Sequence, residues 1–131
     1  MSEHYGKVAL IGLGLIASSM AWAMKRAGMT TEIRGYARSA ETRETARRLG
    51  FCNVVCDSAE EAVADADLIV LATPVGVMGH VAEAIAPHLK PGATVTDVGS
   101  VKRTVIAEVS PHLPDSVHFV PGHPMAGTEH S

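Results

Sequence analysis

The apolar run Val8-Ala9-Leu10-Ile11 breaks directly into Gly12-Leu13-Gly14-Leu15-Ile16-Ala17, and this junction constrains the fold more than any other stretch. A short continuous apolar run ended by glycine reads as a strand buried on both faces. From Leu15 the apolar period becomes helical: Ile16, Met20, Ala23, Met24 and Ala27 fall on one face, and Gly28 stands where a helix stops. The chain therefore opens as strand, glycine turn, helix.

The same alternation continues. It predicts a second strand near Glu32 to Tyr36, a helix from Ala40 to Leu49 closed by Gly50, and a third strand from Val54 to Cys56. Ser58 followed by Glu61 has capping-box spacing and predicts a short helix. Asp67 to Ala72 is the clearest strand, stopped by Thr73-Pro74. Then come a helix from Val77 to Leu89, a strand from Ala93 to Asp97, a helix after Val101 ending near Pro111, and a last strand from Val117 to Val120. Strands alternating with helices imply parallel pairing through right-handed crossovers. The expected fold is α/β, a doubly wound, mostly parallel six-stranded Rossmann sheet with helices on both faces, filling residues 1–131 as one domain.

Composition agrees and excludes other classes. The chain has 131 residues, 47% hydrophobic and 4% aromatic, the aliphatic balance that buried parallel strands require. The net charge of -3 and basic pairs scattered among acids argue against nucleic acid as a partner. No apolar run is long enough for a membrane helix and the N-terminus has no signal-peptide pattern, so a cytoplasmic protein without a membrane partner is expected. Cys52 and Cys56 match no common zinc spacing and read as packing residues; no metal site is expected.

Gly12-Leu13-Gly14-Leu15-Ile16-Ala17 also fits the dinucleotide fingerprint G-x-G-x-x-G/A. Gly12 permits the tight turn, Gly14 lets backbone approach a pyrophosphate, and Ala17 lets helix and strand pack closely. The helix start at Leu15 and Ile16 offers amides and positive dipole to the phosphates. The end of the second strand selects the dinucleotide. There Gly35-Tyr36-Ala37-Arg38-Ser39 lacks the acid that would bind a ribose 2′-hydroxyl, while Arg38 and Ser39 suit a 2′-phosphate. NADP is expected ahead of NAD. Thr73 and Pro74 follow the fourth strand, where strand order should reverse, and their backbone is assigned to the cofactor's ribose side, although Pro74 could also simply terminate the strand.

Ser100 follows the fifth strand and His123 the sixth, on the sheet edge that would hold the cofactor. A histidine there can take a hydroxyl proton near neutral pH, and a neighbouring serine could orient it and the substrate hydroxyl. The simpler reading of His123 is a loop histidine fixing a turn with Pro124.

Three stretches bear on the choice: Gly12 to Ile16, Asp97-Val98-Gly99-Ser100-Val101-Lys102, and Gly122-His123-Pro124-Met125-Ala126-Gly127-Thr128-Glu129. Together they resemble the signatures of prephenate and arogenate dehydrogenases, the cyclohexadienyl group of tyrosine biosynthesis, from about Lys7 to the last residue. The resemblance implies that His123 is the base on the ring 4-hydroxyl during hydride transfer. Ser100 would hydrogen-bond that histidine and the substrate, and Thr128 would lie in the substrate pocket. It further implies oxidative decarboxylation of a small acid, prephenate or arogenate, and a C-terminal helical domain that builds a homodimer. Because these 131 residues lack such a domain, the chain is expected to be the cofactor-binding half. Lys102 and Arg103 read as exposed first-turn residues.

Two other readings stay open. The same fold hosts hydroxyacid and imine reductases, and it could serve as a non-catalytic NADP-binding module.

Overall fold

The structure is a computed structural model that describes residues 5–99 and 102–122. Six strands form one sheet in the order β3-β2-β1-β4-β5-β6, and every recorded pairing is parallel. The strands are β1 (Tyr5–Ile11), β2 (Thr30–Tyr36), β3 (Val54–Val55), β4 (Leu68–Leu71), β5 (Thr94–Asp97) and β6 (His118–Phe119). The helices are α1 (Leu15–Ala27), α2 (Ala40–Leu49), α3 (Ala59–Val63), α4 (Val75–Ile85) and α5 (Lys102–Val109), with a single 3-10 turn after each of the last two.

Alternation along the central strands explains why both faces are covered. Val8 and Leu10 of β1 and Val70 of β4 pack with Ala17, Ala21 and Met24 of α1 and with Ala46 of α2. Their neighbours Ala9, Ile11, Ile69 and Leu71 point the other way, against α3, α4 and α5 through Ala62, Met78, Ile85 and Val105. Period-two side chains on a continuously apolar strand leave no face for water, so helices must cover both.

Local signals set most boundaries. The Ser39 hydroxyl accepts from the amides of Glu41 and Thr42, and Gly50 ends α2 in the left-handed region, so α2 spans the predicted residues. Ser58 caps α3 by accepting from the Glu61 amide, while the Glu61 carboxylate reaches back to the Asp57 amide rather than to that of Ser58. The helix predicted from Val77 begins at Val75 because Pro74, at φ -57, leads straight into the first turn, and it closes as a 3-10 turn at Ala86–His88. Strands β3 and β6 keep two residues each, since edge strands pair on one side only.

The buried face of α1 differs from the expected one. Ala17, Ala21 and Met24 are buried, whereas Ile16 is 49% exposed and Leu15 is 82% exposed. The large side chains misled the reading: at the crossing with β1 and β2 the small alanines let the helix approach, and the face turns by about one residue. Among the described residues no helix is long and apolar enough to cross a membrane.

Candidate functional site

Between β1 and β4 the strand order reverses. Chain leaving β1 turns to α1 on one face and chain leaving β4 turns to α4 on the other, opening a crevice at the carboxyl ends. A cleft of about 830 Å³ lies there, and its walls include Gly12, Gly14, Arg38, Ser39, Thr73 and Pro74.

Gly12 shapes the floor. Its φ is +103, and a β-carbon on it would come within 2.7 Å of the Ala72 carbonyl oxygen, so both conformation and space demand glycine. Its amide donates to the Tyr36 carbonyl at 2.7 Å, joining the end of β1 to the end of β2. Gly14 is the N-cap of α1 and supplies no side chain, and the first turn holds no acid. Ser18 is the first residue whose amide finds an intrahelical acceptor, Gly14 at 3.0 Å; those of Leu15, Ile16 and Ala17 have none within the helix. The N-terminus of α4, after Pro74, likewise has no side-chain cap. Both helices that start at the crevice thus present amide donors and positive dipole there, a fitting surface for anions.

Of the loop residues singled out from the sequence, Ala17 is buried against the sheet at 1% exposure. Leu15 lines a smaller neighbouring groove between α1 and α2, and Ile16 is exposed.

At the end of β2, Arg38 and Ser39 are exposed to the cleft. A residue the sequence reading missed holds the backbone at Ala37 and Arg38: Nη1 of Arg43 donates to the carbonyls of Ala37 at 2.7 Å and Arg38 at 3.1 Å, and its guanidinium lies 5.7 Å from the Tyr36 ring. The available signal was its position one turn past the Ser39 cap, from which a long cation reaches back over the loop. Asp57, from the β3–α3 turn, and Glu60, from the first turn of α3, also line the cleft. An acid absent from the end of β2 therefore arrives from elsewhere. Asp57 Oδ1 is shared between Arg47 at 3.2 Å and Arg43 at 3.7 Å, which offsets its charge.

On the opposite wall, Thr73 Oγ1 is buried and has no hydrogen-bond partner among the described residues. An orphaned hydroxyl in a cleft wall costs stability unless a ligand or water satisfies it.

Along the same sheet edge stands Asp97, the last residue of β5 and 2% exposed. Its Oδ2 accepts from the Gly99 amide at 2.7 Å and from Lys102 Nζ at 2.5 Å, and its Oδ1 accepts from the Gly122 amide at 3.1 Å. This corrects the reading of Lys102 as an exposed first-turn residue: its side chain is 23% exposed, because a buried carboxylate requires a cation. Arg103 is exposed, as expected. Ser100, His123 and Thr128 lie outside the described residues.

A family model, prephenate dehydrogenase, nucleotide-binding domain, matches residues 20–131. The chain is 44% identical over 124 residues to the cyclohexadienyl dehydrogenase of Zymomonas mobilis, a span of 95% of this chain and 42% of that protein. Among solved structures it is similar to prephenate dehydrogenase from A. aeolicus in complex with hydroxyphenyl propionate and NAD+, with a TM-score of 0.83 and 32% identity over 98% of this chain and 45% of that one. It is also similar to Synechocystis arogenate dehydrogenase, with a TM-score of 0.79 and 33% identity over 94% of this chain and 42% of that one. The chain thus spans less than half the length of these relatives. A six-stranded parallel sheet with a glycine-floored crevice at its reversal point, matched by that model over most of its length, belongs to the prephenate dehydrogenase family and is its nucleotide-binding domain.

Proposed function

We propose that this chain binds NADP in the cleft and that the protein carrying it oxidatively decarboxylates prephenate, arogenate or both. The observation that carries this reading is the meeting of two motif-bearing strand ends at one carboxylate. Gly99 and Gly122, the residues before Ser100 and His123, both donate to Asp97 on the edge where the cleft opens. The cleft suits a dinucleotide: glycine at its floor, uncapped helix starts for the pyrophosphate, and a buried Thr73 hydroxyl with no partner among the described residues.

When bound, the nicotinamide accepts the hydride. His123 takes the proton from the ring 4-hydroxyl as the hydride leaves the same carbon, so that carbon becomes a carbonyl. Ser100 holds the histidine and the substrate hydroxyl in line, and Thr128 contacts the substrate. The bond from the ring to its carboxylate then breaks, carbon dioxide departs, and the bonding pair enters the ring, which becomes aromatic and regains a proton on oxygen.

For the cofactor, Arg38 and Ser39 favour a 2′-phosphate. A second reading, NAD or dual use, is supported by Asp57, a carboxylate in the same cleft that could accept from a 2′-hydroxyl. Because the relatives are more than twice as long, we read the chain as the cofactor-binding half of the enzyme; the homodimer rests on the family resemblance alone.

Nicotinamide absorbance tests this reading on the full-length protein, with prephenate and arogenate each offered with NADP and NAD. Reduction with either acid supports the dehydrogenase and ranks both preferences, and a His123→Asn variant should bind substrate without turnover. Cofactor binding with no reduction by either acid would favour another reductase or a non-catalytic module.

A further inference from the structure

We propose that Asp97 is a positioning residue that ties Gly122, the residue before His123, to Gly99, the residue before Ser100, an inference that rests on the reading of Ser100 and His123 above. Among the described residues it is the sole buried charged side chain. Its two oxygens divide the work: Oδ2 holds the Gly99 amide and Lys102, and Oδ1 holds the Gly122 amide from 25 residues away.

The sheet itself cannot do this. The register between β5 and β6 runs through Thr94↔His118 and Val95↔Phe119, and the last ladder bond is from the Val120 amide to the Val95 carbonyl. The ladder therefore stops three residues short of His123, and the Asp97 carboxylate is the next tie. The backbone reinforces it. A β-carbon on Gly122 would overlap the Asp97 carbonyl and come within 2.9 Å of Thr96 Oγ1, so the strand exit lies directly on the end of β5. Charge-assisted bonds to backbone amides are short and directional, and a buried carboxylate that loses one does not regain it from water. Lys102 neutralises the acid while leaving Oδ1 free to face Gly122.

Asp97→Asn separates these roles. An amide has a single acceptor oxygen, and turning it toward Gly99 and Lys102 keeps two bonds and presents an N–H to the Gly122 amide. The replacement thus releases Gly122 selectively. In the full-length protein kcat should fall about 10²-fold, the loss expected from misplacing a reacting group by about 1 Å, with the Kd for NADP unchanged. Hydrogen exchange of the peptide spanning residues 117–123 should quicken about tenfold, as for one lost buried hydrogen bond, while β1 and α1 keep their protection. The double variant Asp97→Asn/Lys102→Met should stay as slow as the single one.

Three results overturn the proposal. Wild-type kcat with unchanged exchange at 117–123 removes the tie. Recovery in the double variant makes Asp97 no more than the counter-ion of Lys102. Weakened NADP binding together with faster exchange throughout makes it a general stability residue. Absence of turnover in the unmutated protein with either acid would remove the dehydrogenase reading instead, and exchange at 117–123 would still decide on Asp97.

Discussion

Gly12 and Ala72 meet backbone to backbone at the point where the strand order reverses: a β-carbon on Gly12 would stand 2.7 Å from the Ala72 carbonyl oxygen and 3.1 Å from the Thr73 amide nitrogen. The two residues directly follow β1 and β4, so this contact sets the width of the crevice. Gly12→Ala should cost at least about 1–2 kcal/mol from its left-handed conformation alone. It should also abolish the thermal shift produced by NADP, because the added methyl pushes apart the two walls that hold the ligand. A melting curve with and without NADP checks both, and an undiminished NADP shift would show that the contact does not shape the site.

Arg38→Ala removes the cation that the NADP reading sets against a 2′-phosphate. The KM for NADP should rise about tenfold or more, in line with the loss of a charge-assisted hydrogen bond, while that for NAD changes little. Steady-state kinetics with both cofactors measure the ratio. Equal effects would leave Asp57 and the NAD reading in possession of the cleft.

At the opposite sheet edge, the acid Asp67 is held by Lys90 Nζ and the Lys7 amide, and both contacts keep its carboxyl below the usual aspartate range. A depressed folded-state pKa means that this stabilisation is complete above the ordinary aspartate value of about 3.9 and is lost as pH falls through the lower folded value. Asp67→Asn should therefore lower Tm slightly near pH 7, with solvent screening keeping the effect small, and the difference from wild type should close as acid protonates Asp67. Tm measured from pH 7 down to the acid limit tests the sign; a gap that widens toward low pH would contradict it.

Burial pushes the Cys52 thiol up to about 11, against a weaker opposing influence from Lys25, and burial also raises Cys56. Since the thiolate is the reactive form, both cysteines should label slowly with a disulfide reagent at pH 8 and rapidly in denaturant. Fast native labelling of either would show that the sulfur is accessible.

How much of this was legible in the sequence depended on how local each cause is. Helix α2 could be placed to the residue because its cap, Ser39, and its stop, Gly50, directly flank it in the chain. The inward face of α1 was misread because Ile16, expected on it, is exposed and the small alanines Ala17 and Ala21 make the close approach to the sheet. Lys102 looked like a surface residue since nothing local shows that the carboxylate five residues earlier is buried. The Arg43 clamp and the entry of Asp57 into the cleft needed the chain to be folded before they could be seen.

The sequence by itself determined the order of strands and helices, their parallel pairing and the glycine floor at Gly12, because apolar period, caps and glycine conformation act over a few residues. Tertiary structure decided which side of each helix is buried, which carboxylates enter the cleft, and that one buried acid, Asp97, joins the ends of β5 and β6. Those outcomes depend on residues far apart in the chain meeting where water is excluded, and there a charge or an amide must find its partner within the protein.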